Sequence, residues 1–264
     1  MNLRTAFAFL ALASLSLPAL AAKNKDNTFT LVDATSGKNV GKASYSIQQS
    51  KKGYKIDGRF QYNITSTSTP AAGTQTKGKG NSNASSNEQG QYDISYKVDS
   101  NGNFLSGSIQ DQLAQKTYSW QPNKQRTTIE VSTIQAGSLG SPTTAPLPKP
   151  DFFMVTDGDP SAIQVLMTAS KAHPSPNSVY LLLVPEDAIN PKNKYILVSI
   201  QPDADRTGTL DGKSIALKSF ILRFHTGPTA EVYLDGNGNL MEADLAKLQL
   251  NYIRKGFTLT PAAK

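Results

Sequence analysis

The sequence predicts a mainly β protein of the α+β class, in which a curved antiparallel sheet or half-barrel wraps around one central helix. Three observations lead to this fold class: one unusually long alternating segment, a succession of shorter strand patterns separated by turn residues, and one helix pattern with capping signals. A long strand coils as it twists, so it favours a curved sheet, and an apolar helix needs a sheet face to cover it.

The long segment, residues 54–65, alternates apolar and polar side chains without a break. Successive side chains of a strand point to opposite faces, so this alternation predicts a sheet with one buried and one solvated face. At about 3.3 Å per residue the strand would run roughly 40 Å. Its predicted buried face holds Tyr54, Ile56, Gly58, Phe60, Tyr62 and Ile64.

Shorter strand patterns fill most of the remaining chain. The Asn101-Gly102 pair, in the turn at 99–102, is a strong hairpin signal. The N-terminal half is predicted to contain strands at 29–32, 40–49, 92–98, 104–109, 117–120 and 127–134. Residues 152–155 return the chain to the core, and the C-terminal half adds strands at 179–184, 195–200, 214–224, 230–234, 240–245, 248–252 and 257–259.

One helix is predicted over residues 160–171. Asp159 suits the N-cap and Pro160 the first helical position, while Lys171 and His173 lie near the negative end of the helix dipole. Pro174 ends the pattern. The apolar stripe is wide enough to need a cover, which we expect to be the concave face of the sheet; it consists of Ile163, Leu166, Met167 and Ser170, flanked by Ala162, Val165 and Ala169.

Residues 1–22 have the composition of a signal peptide. Arg4 precedes an apolar run, and Ala19-Leu20-Ala21 forms a small-x-small cleavage signal. We therefore expect cleavage near Ala21 or Ala22 and a periplasmic or secreted protein. No other stretch approaches roughly 18 apolar residues, so no integral membrane span is expected. Residues 23–264 are expected to form a single β-rich domain.

Two segments interrupt the strand patterns. Residues 66–90 are rich in Ser, Thr, Asn and Gly and hold almost no apolar side chains, which predicts a flexible loop. Residues 137–150 contain Pro142, Pro146, Pro148 and Pro150, which predict an extended connector.

Composition excludes several kinds of site. The chain has no cysteine, which rules out disulfides, thiolate metal ligands and a cysteine nucleophile. Its net charge is +7, but no basic run is longer than a pair such as Lys51-Lys52. Scattered charge of this size serves solubility, so no nucleic acid partner is expected.

No metal site and no cofactor are predicted. The two histidines, His173 and His225, show no ligand spacing. Asp235, Asn237 and Asn239 have the 1-3-5 spacing of a calcium loop, but the sixth and twelfth positions lack the required Gly and Glu. The same residues suit a hairpin turn, which we favour.

No catalytic residues are predicted, because the chain has neither a G-x-S-x-G nucleophile elbow nor an S-x-x-K motif. Paired carboxylates for glycoside hydrolysis remain an alternative, since their spacing is spatial and not sequential.

Two stretches resemble a known family. G-K-N-V-G-K-A-S-Y at 37–45, followed by G-Y-K-I at 53–56, is similar to the opening of a family of exported bacterial domains of unknown function with long antiparallel strands. Residues 230–240 resemble the closing hairpin of the same family. More distantly, a curved antiparallel sheet around a helix resembles the lipoprotein-localisation carriers of the bacterial envelope, a half-barrel superfamily that holds acyl chains in the hollow of the sheet.

These observations predict an exported, non-enzymatic envelope protein that binds a lipid or other apolar ligand in the hollow of the sheet. Core packing accounts for the same candidate residues and is the favoured explanation of them. The alternatives are an envelope structural or interaction protein without a small-molecule ligand, whose partner is another envelope protein, and a carboxylate-based hydrolase. The candidate lining residues are Ile56, Phe60, Tyr62, Phe152, Phe153, Met154, Leu166 and Met167.

Overall fold

The computed structural model describes residues 27–66, 86–146, 152–154, 159–172, 179–183, 196–224, 229–245 and 249–261. Side chains are described for these residues except at 64–66, 86–88, 152–154, 169–172, 179–183 and 196–197. The predicted signal peptide, most of the predicted loop at 66–90, the end of the predicted connector at 147–150, and both histidines lie outside the described residues.

The described chain forms eighteen strands and one helix. In order they are β1 Asn27–Asp33, β2 Asn39–Ser50, β3 Gly53–Ser66, β4 Ser86–Asp99, β5 Phe104–Asp111, β6 Lys116–Pro122, β7 Thr128–Gln135, β8 Ser138–Leu139, β9 Thr143–Pro146, β10 Phe152–Met154, α1 Pro160–Ala172, β11 Val179–Leu183, β12 Ile196–Pro202, β13 Arg206–Leu210, β14 Lys213–Phe224, β15 Thr229–Leu234, β16 Leu240–Leu245, β17 Leu250–Arg254 and β18 Phe257–Leu259.

Most strands belong to one large, curved sheet that is not closed into a barrel. Its spatial order is β10-β11-β12-β14-β15-β16-β17-β1-β2-β3-β4-β5-β6-β7-β9, and β8 pairs with the end of β7. All of these pairings are antiparallel except β10 with β11. A small second sheet forms where β13 pairs with β14 and β18. The predicted fold class is confirmed.

The long predicted strand forms the middle of this sheet. β3 and β4 each have 14 residues and pair along their whole length, from Gly53↔Asp99 to Ser66↔Ser86. Both strands therefore extend into the ends of the segment where the sequence predicts a loop. Polar residues without alternation can continue a strand when a paired neighbour supplies the hydrogen bonds.

The concave face of the sheet and α1 enclose one hydrophobic core. It includes Ile56, Phe60, Tyr96, Trp120 and Leu166, each at most 5% exposed. A smaller core lies on the other side of β14–β16, under the second sheet. β15 and β16 therefore bury side chains on both faces; the smaller core consists of Leu217, Tyr233, Met241 and Phe257.

The helix is confirmed at its predicted start and within one residue of its predicted end. Every residue from Asp159 to Met167 is buried, and α1 packs against β2, β3, β4 and β16. Gly58 allows its close approach, because a Cβ there would lie 2.8 Å from the Ser161 hydroxyl oxygen. Among the described residues no helix is long and apolar enough to span a bilayer.

Besides β10, whose residues were expected only to return the chain to the core, three short strands were not predicted. β8 and β9 lie in the segment expected to be an extended connector, and β9 pairs with β7 from Thr128↔Pro146 to Val131↔Thr143. Pro146 is the last residue of this edge strand, a position where its missing N–H costs little. β13 has only five residues and contains Gly208, so its alternation is too short to be recognised.

Candidate functional site

The predicted lining residues fall into three groups. Ile56, Phe60, Leu166 and Met167 are buried together in the large core, where they pack against other protein side chains. Tyr62 is half-buried and packs against the edge of that core. Phe152, Phe153 and Met154 form β10, and their side chains lie outside those described. The middle of the hollow is thus occupied by α1 and core side chains.

Aromatic rings cluster on the concave face of the sheet, towards the C-terminal end of β3. We call Phe60, Tyr62, Tyr92 and Tyr252 the aromatic end. The Phe60 ring centroid lies 5.2 Å from that of Tyr62, 6.2 Å from that of Tyr92 and 6.3 Å from that of Tyr252. Tyr62 and Tyr92 are 6.3 Å apart and nearly parallel. Phe60 is buried, whereas Tyr62 and Tyr92 are half-buried, so the cluster runs from the core to its margin.

Small residues opposite the rings make this arrangement possible. The cross-strand partners of Tyr62 are Gly41 and Gly90, and one partner of Phe60 is Ala43. A Cβ at Gly90 would collide with the Tyr62 ring and lie 2.6 Å from the Tyr92 ring. Directly opposed positions are the closest neighbours in a sheet, so glycine leaves the space that the two rings occupy.

The start of α1 is anchored by a buried carboxylate. Asp159 accepts hydrogen bonds from the backbone N–H groups of Ser161 and Ala162, at 2.9 and 3.2 Å, and from the Ser161 hydroxyl. The Tyr96 hydroxyl also donates to it, at 3.3 Å. Burial raises the pKa of Asp159, while these hydrogen bonds oppose the rise. The predicted N-cap is confirmed, because the Asp159 carboxylate accepts hydrogen bonds from backbone N–H groups in the first turn of α1.

A second polar network ties the middle of α1 to the sheet through Gln164. Its side-chain oxygen accepts from the Tyr45 hydroxyl at 2.7 Å and from the Leu240 N–H at 2.9 Å. Its nitrogen donates to the Gly238 carbonyl at 3.0 Å and to the Thr168 hydroxyl at 3.2 Å. Burial raises the pKa of Tyr45, which keeps the phenol protonated as a donor.

Gln164 and its partners were not recognised from the sequence. Gln164 lies outside the apolar stripe of the helix, so no local pattern marked it as buried, although a buried amide needs partners for all its polar atoms. The identity of those partners depends on tertiary structure, since Tyr45 and Leu240 lie more than seventy residues away in the chain.

The Asp235–Asn239 segment is a hairpin turn, as predicted. The Asp235 carboxylate accepts from the backbone N–H groups of Asn237 and Asn239, at 2.9 and 2.8 Å, so its oxygens are used within the turn. This turn supplies the Gly238 carbonyl that binds Gln164. Among the described residues no group of three or more His, Asp or Glu side chains could hold a metal ion.

Three carboxylates lie near one another on β15 and β16. Glu231 and Asp244 are directly opposite, and the Tyr233 hydroxyl donates to Glu231 at 2.6 Å. Burial, with the charges of Asp244 and Glu231, raises the pKa of Glu242 to about 7. The carboxylates stand side by side on adjacent strands, whereas hydrolysis of a glycoside needs two carboxyl groups on opposite sides of a bound substrate.

Comparisons with known proteins identify a solved structure with a similar fold. No family model matches the chain, and no curated protein matches it. The chain is similar to the crystal structure of a β-barrel-like protein of the domain of unknown function DUF1849 from Brucella abortus, with a TM-score of 0.48 and 10% sequence identity. The similarity covers 89% of this chain and 97% of that chain. The resemblance to lipoprotein-localisation carriers stays a prediction.

Proposed function

We propose that the protein is an exported, non-enzymatic envelope protein that binds the apolar chain of a lipid or similar amphiphile at the aromatic end of its curved sheet. The observation that carries this proposal is the pair of half-buried rings, Tyr62 and Tyr92, packed beside buried Phe60 at the margin of the core.

The position of the helix favours this end of the hollow. Asp159 to Met167 are buried against the sheet, and Ile56 is fully buried beneath them. A ligand in the middle would have to displace packed side chains, and removing one large apolar side chain from a core costs about 2–5 kcal/mol. At the aromatic end a ligand can cover exposed ring area without that cost.

The ring chemistry suits an amphiphile. Tyrosine presents an apolar ring and one polar hydroxyl, so it can contact a hydrocarbon chain with its face and a polar head or water with its tip. Exposed aromatic surface that becomes covered contributes about 25 cal/mol per Å² to binding. Two adjacent tyrosines on a buried phenylalanine provide such a surface on a rigid support.

The proposal is tested with a fluorescent fatty-acid probe and two matched variants. Tyr62→Ser removes a ring from the aromatic end, and we expect it to weaken binding about tenfold, equivalent to about 1.4 kcal/mol. Tyr54→Ser is the control, because Tyr54 lies on the same face of the same strand and is also half-buried, but at the opposite end. It should change the affinity by less than about twofold.

Two results would contradict the proposal: absence of saturable probe binding by the wild-type protein, or equal loss of affinity in both variants. Circular dichroism and the melting temperature of each variant check that the fold is retained.

A further inference from the structure

We propose that the solvated outer face of the sheet carries a second binding site, a polar groove for a neutral oligosaccharide. The groove crosses β2–β7 on the face opposite to the core and is independent of the aromatic end. Its two adjoining halves have volumes of about 460 and 360 Å³, and they share Ser95 and Ser108.

The floor of the groove is one continuous row of cross-strand partners, five serines and one aspartate. Ser46 pairs with Asp57, Asp57 with Ser95, and each following serine with the next strand's serine. Six strands about 4.8 Å apart make this row roughly 24 Å long. We call it the serine row; its members are Ser46, Asp57, Ser95, Ser108, Ser119 and Ser132.

Longer side chains stand on both sides of the row and give the groove its walls. Lys55, Lys97 and Glu130 line one side, and Arg59 and Asp93 line the other. A short side chain between two rows of long ones leaves a depression in the surface. If this face needed only to be solvated, long charged residues along its whole length would serve equally well, and a row of short side chains would not be required.

The charges in the groove indicate a neutral partner. Its lining contains three basic and three acidic residues, although the whole chain has a net charge of +7. Lys55 contacts Asp57 at 2.7 Å, and Arg59 contacts Asp93 at 2.7 Å, so most of these charges are compensated within the protein. A polyanion such as nucleic acid would find no excess positive charge there.

The hydrogen-bonding chemistry indicates hydroxyl groups. A serine hydroxyl donates one hydrogen bond and accepts two, as a sugar hydroxyl does, while paired carboxylates and guanidinium groups add fixed acceptors and donors. The serine row lies within the paired interior of the sheet, where the backbone groups already bond to neighbouring strands. A partner is therefore held by side chains, which favours a hydroxyl-rich chain over an added peptide strand.

The experiment titrates the full-length protein with neutral hexasaccharides (cellohexaose, maltohexaose and chitohexaose) and with polygalacturonate as an acidic comparison. Ser108→Tyr fills the shared centre of the groove. Ser214→Tyr is the control, since Ser214 is an exposed serine on β14, away from the groove. We expect the wild type and Ser214→Tyr to bind at least one neutral hexasaccharide, and Ser108→Tyr to bind it at least about tenfold more weakly.

Binding of none of the neutral hexasaccharides, preference for polygalacturonate, or equal binding by wild type and Ser108→Tyr would overturn the proposal. If Ser108→Tyr lowers the melting temperature, Ser108→Gln takes its place, because its smaller side chain still narrows the groove. Binding of the fatty-acid probe should be the same in all of these variants. Failure of the oligosaccharide proposal would therefore not count against ligand binding at the aromatic end.

Discussion

Gln164 lies inside the apolar core, yet every polar atom of its side chain is used. The oxygen accepts two hydrogen bonds and the nitrogen donates two, which is the full capacity of an amide. A buried amide with all partners present adds directional contacts to an otherwise non-directional core. Together with the Asp159 anchor, Gln164 therefore helps to fix the position of α1 along the sheet.

Glu242 makes stability depend on pH. Its carboxyl has a pKa of about 7, raised from 4.5 mainly by burial. The folded state therefore binds this proton more tightly than the unfolded chain, so the contribution of Glu242 to the free energy of unfolding is greatest below pH 4.5 and is lost as the pH rises to about 7. Glu242→Gln should remove part of this fall and stabilise the protein at pH 8 by about 1–2 kcal/mol, allowing for solvent screening.

Urea unfolding at pH 5 and pH 8 measures this difference. The control is Glu130→Gln, at an exposed glutamate of β7. It should change the free energy of unfolding by the same small amount at both pH values. An unchanged pH dependence in Glu242→Gln would show that Glu242 is not the source.

At the scale of elements, the aromatic end depends on how β3 and β4 pair. The register places Gly90 of β4 directly opposite Tyr62 of β3. Tyr92 follows Gly90 by two residues on β4, so it points to the same face. Gly90→Ala would push its methyl group into both rings, and we expect a loss of stability of about 1–3 kcal/mol from overpacking. Amphiphile binding should weaken as well, because the rings must move.

Thermal unfolding of Gly90→Ala is compared with Gly236→Ala. A Cβ at Gly236 would meet no atom within 4 Å, and this glycine lies in a turn, so its replacement is expected to change stability by less than about 1 kcal/mol. Equal melting temperatures for the two variants would contradict the packing described for Gly90.

Local patterns predicted α1 and the long strand, because their signals lie within a few residues. Asp159 and Pro160 mark the helix start, and β3 alternates over most of its length. The pairing of β1 with β17 joins residues more than two hundred positions apart, which no local pattern specifies. The serine row depends on the register of six strands, and a shift by one residue would move its members to the other face.

For the whole molecule, the edges of the large sheet bear on the alternative of an interaction protein. β10 has three residues and β9 has four, the last being Pro146. Short edges and an edge proline limit pairing with another chain, so within the described residues these two edges leave little room for strand addition. The two proposed sites lie instead on its concave and outer faces, on opposite sides of β3 and β4.

Native mass spectrometry of the protein purified from its own envelope tests the central claim most directly. We predict that the wild-type protein carries an added mass that organic extraction identifies as a lipid or related amphiphile, and that Tyr62→Ser carries much less of it. An unliganded mass for the wild type, with no amphiphile in the extract, would contradict binding at the aromatic end.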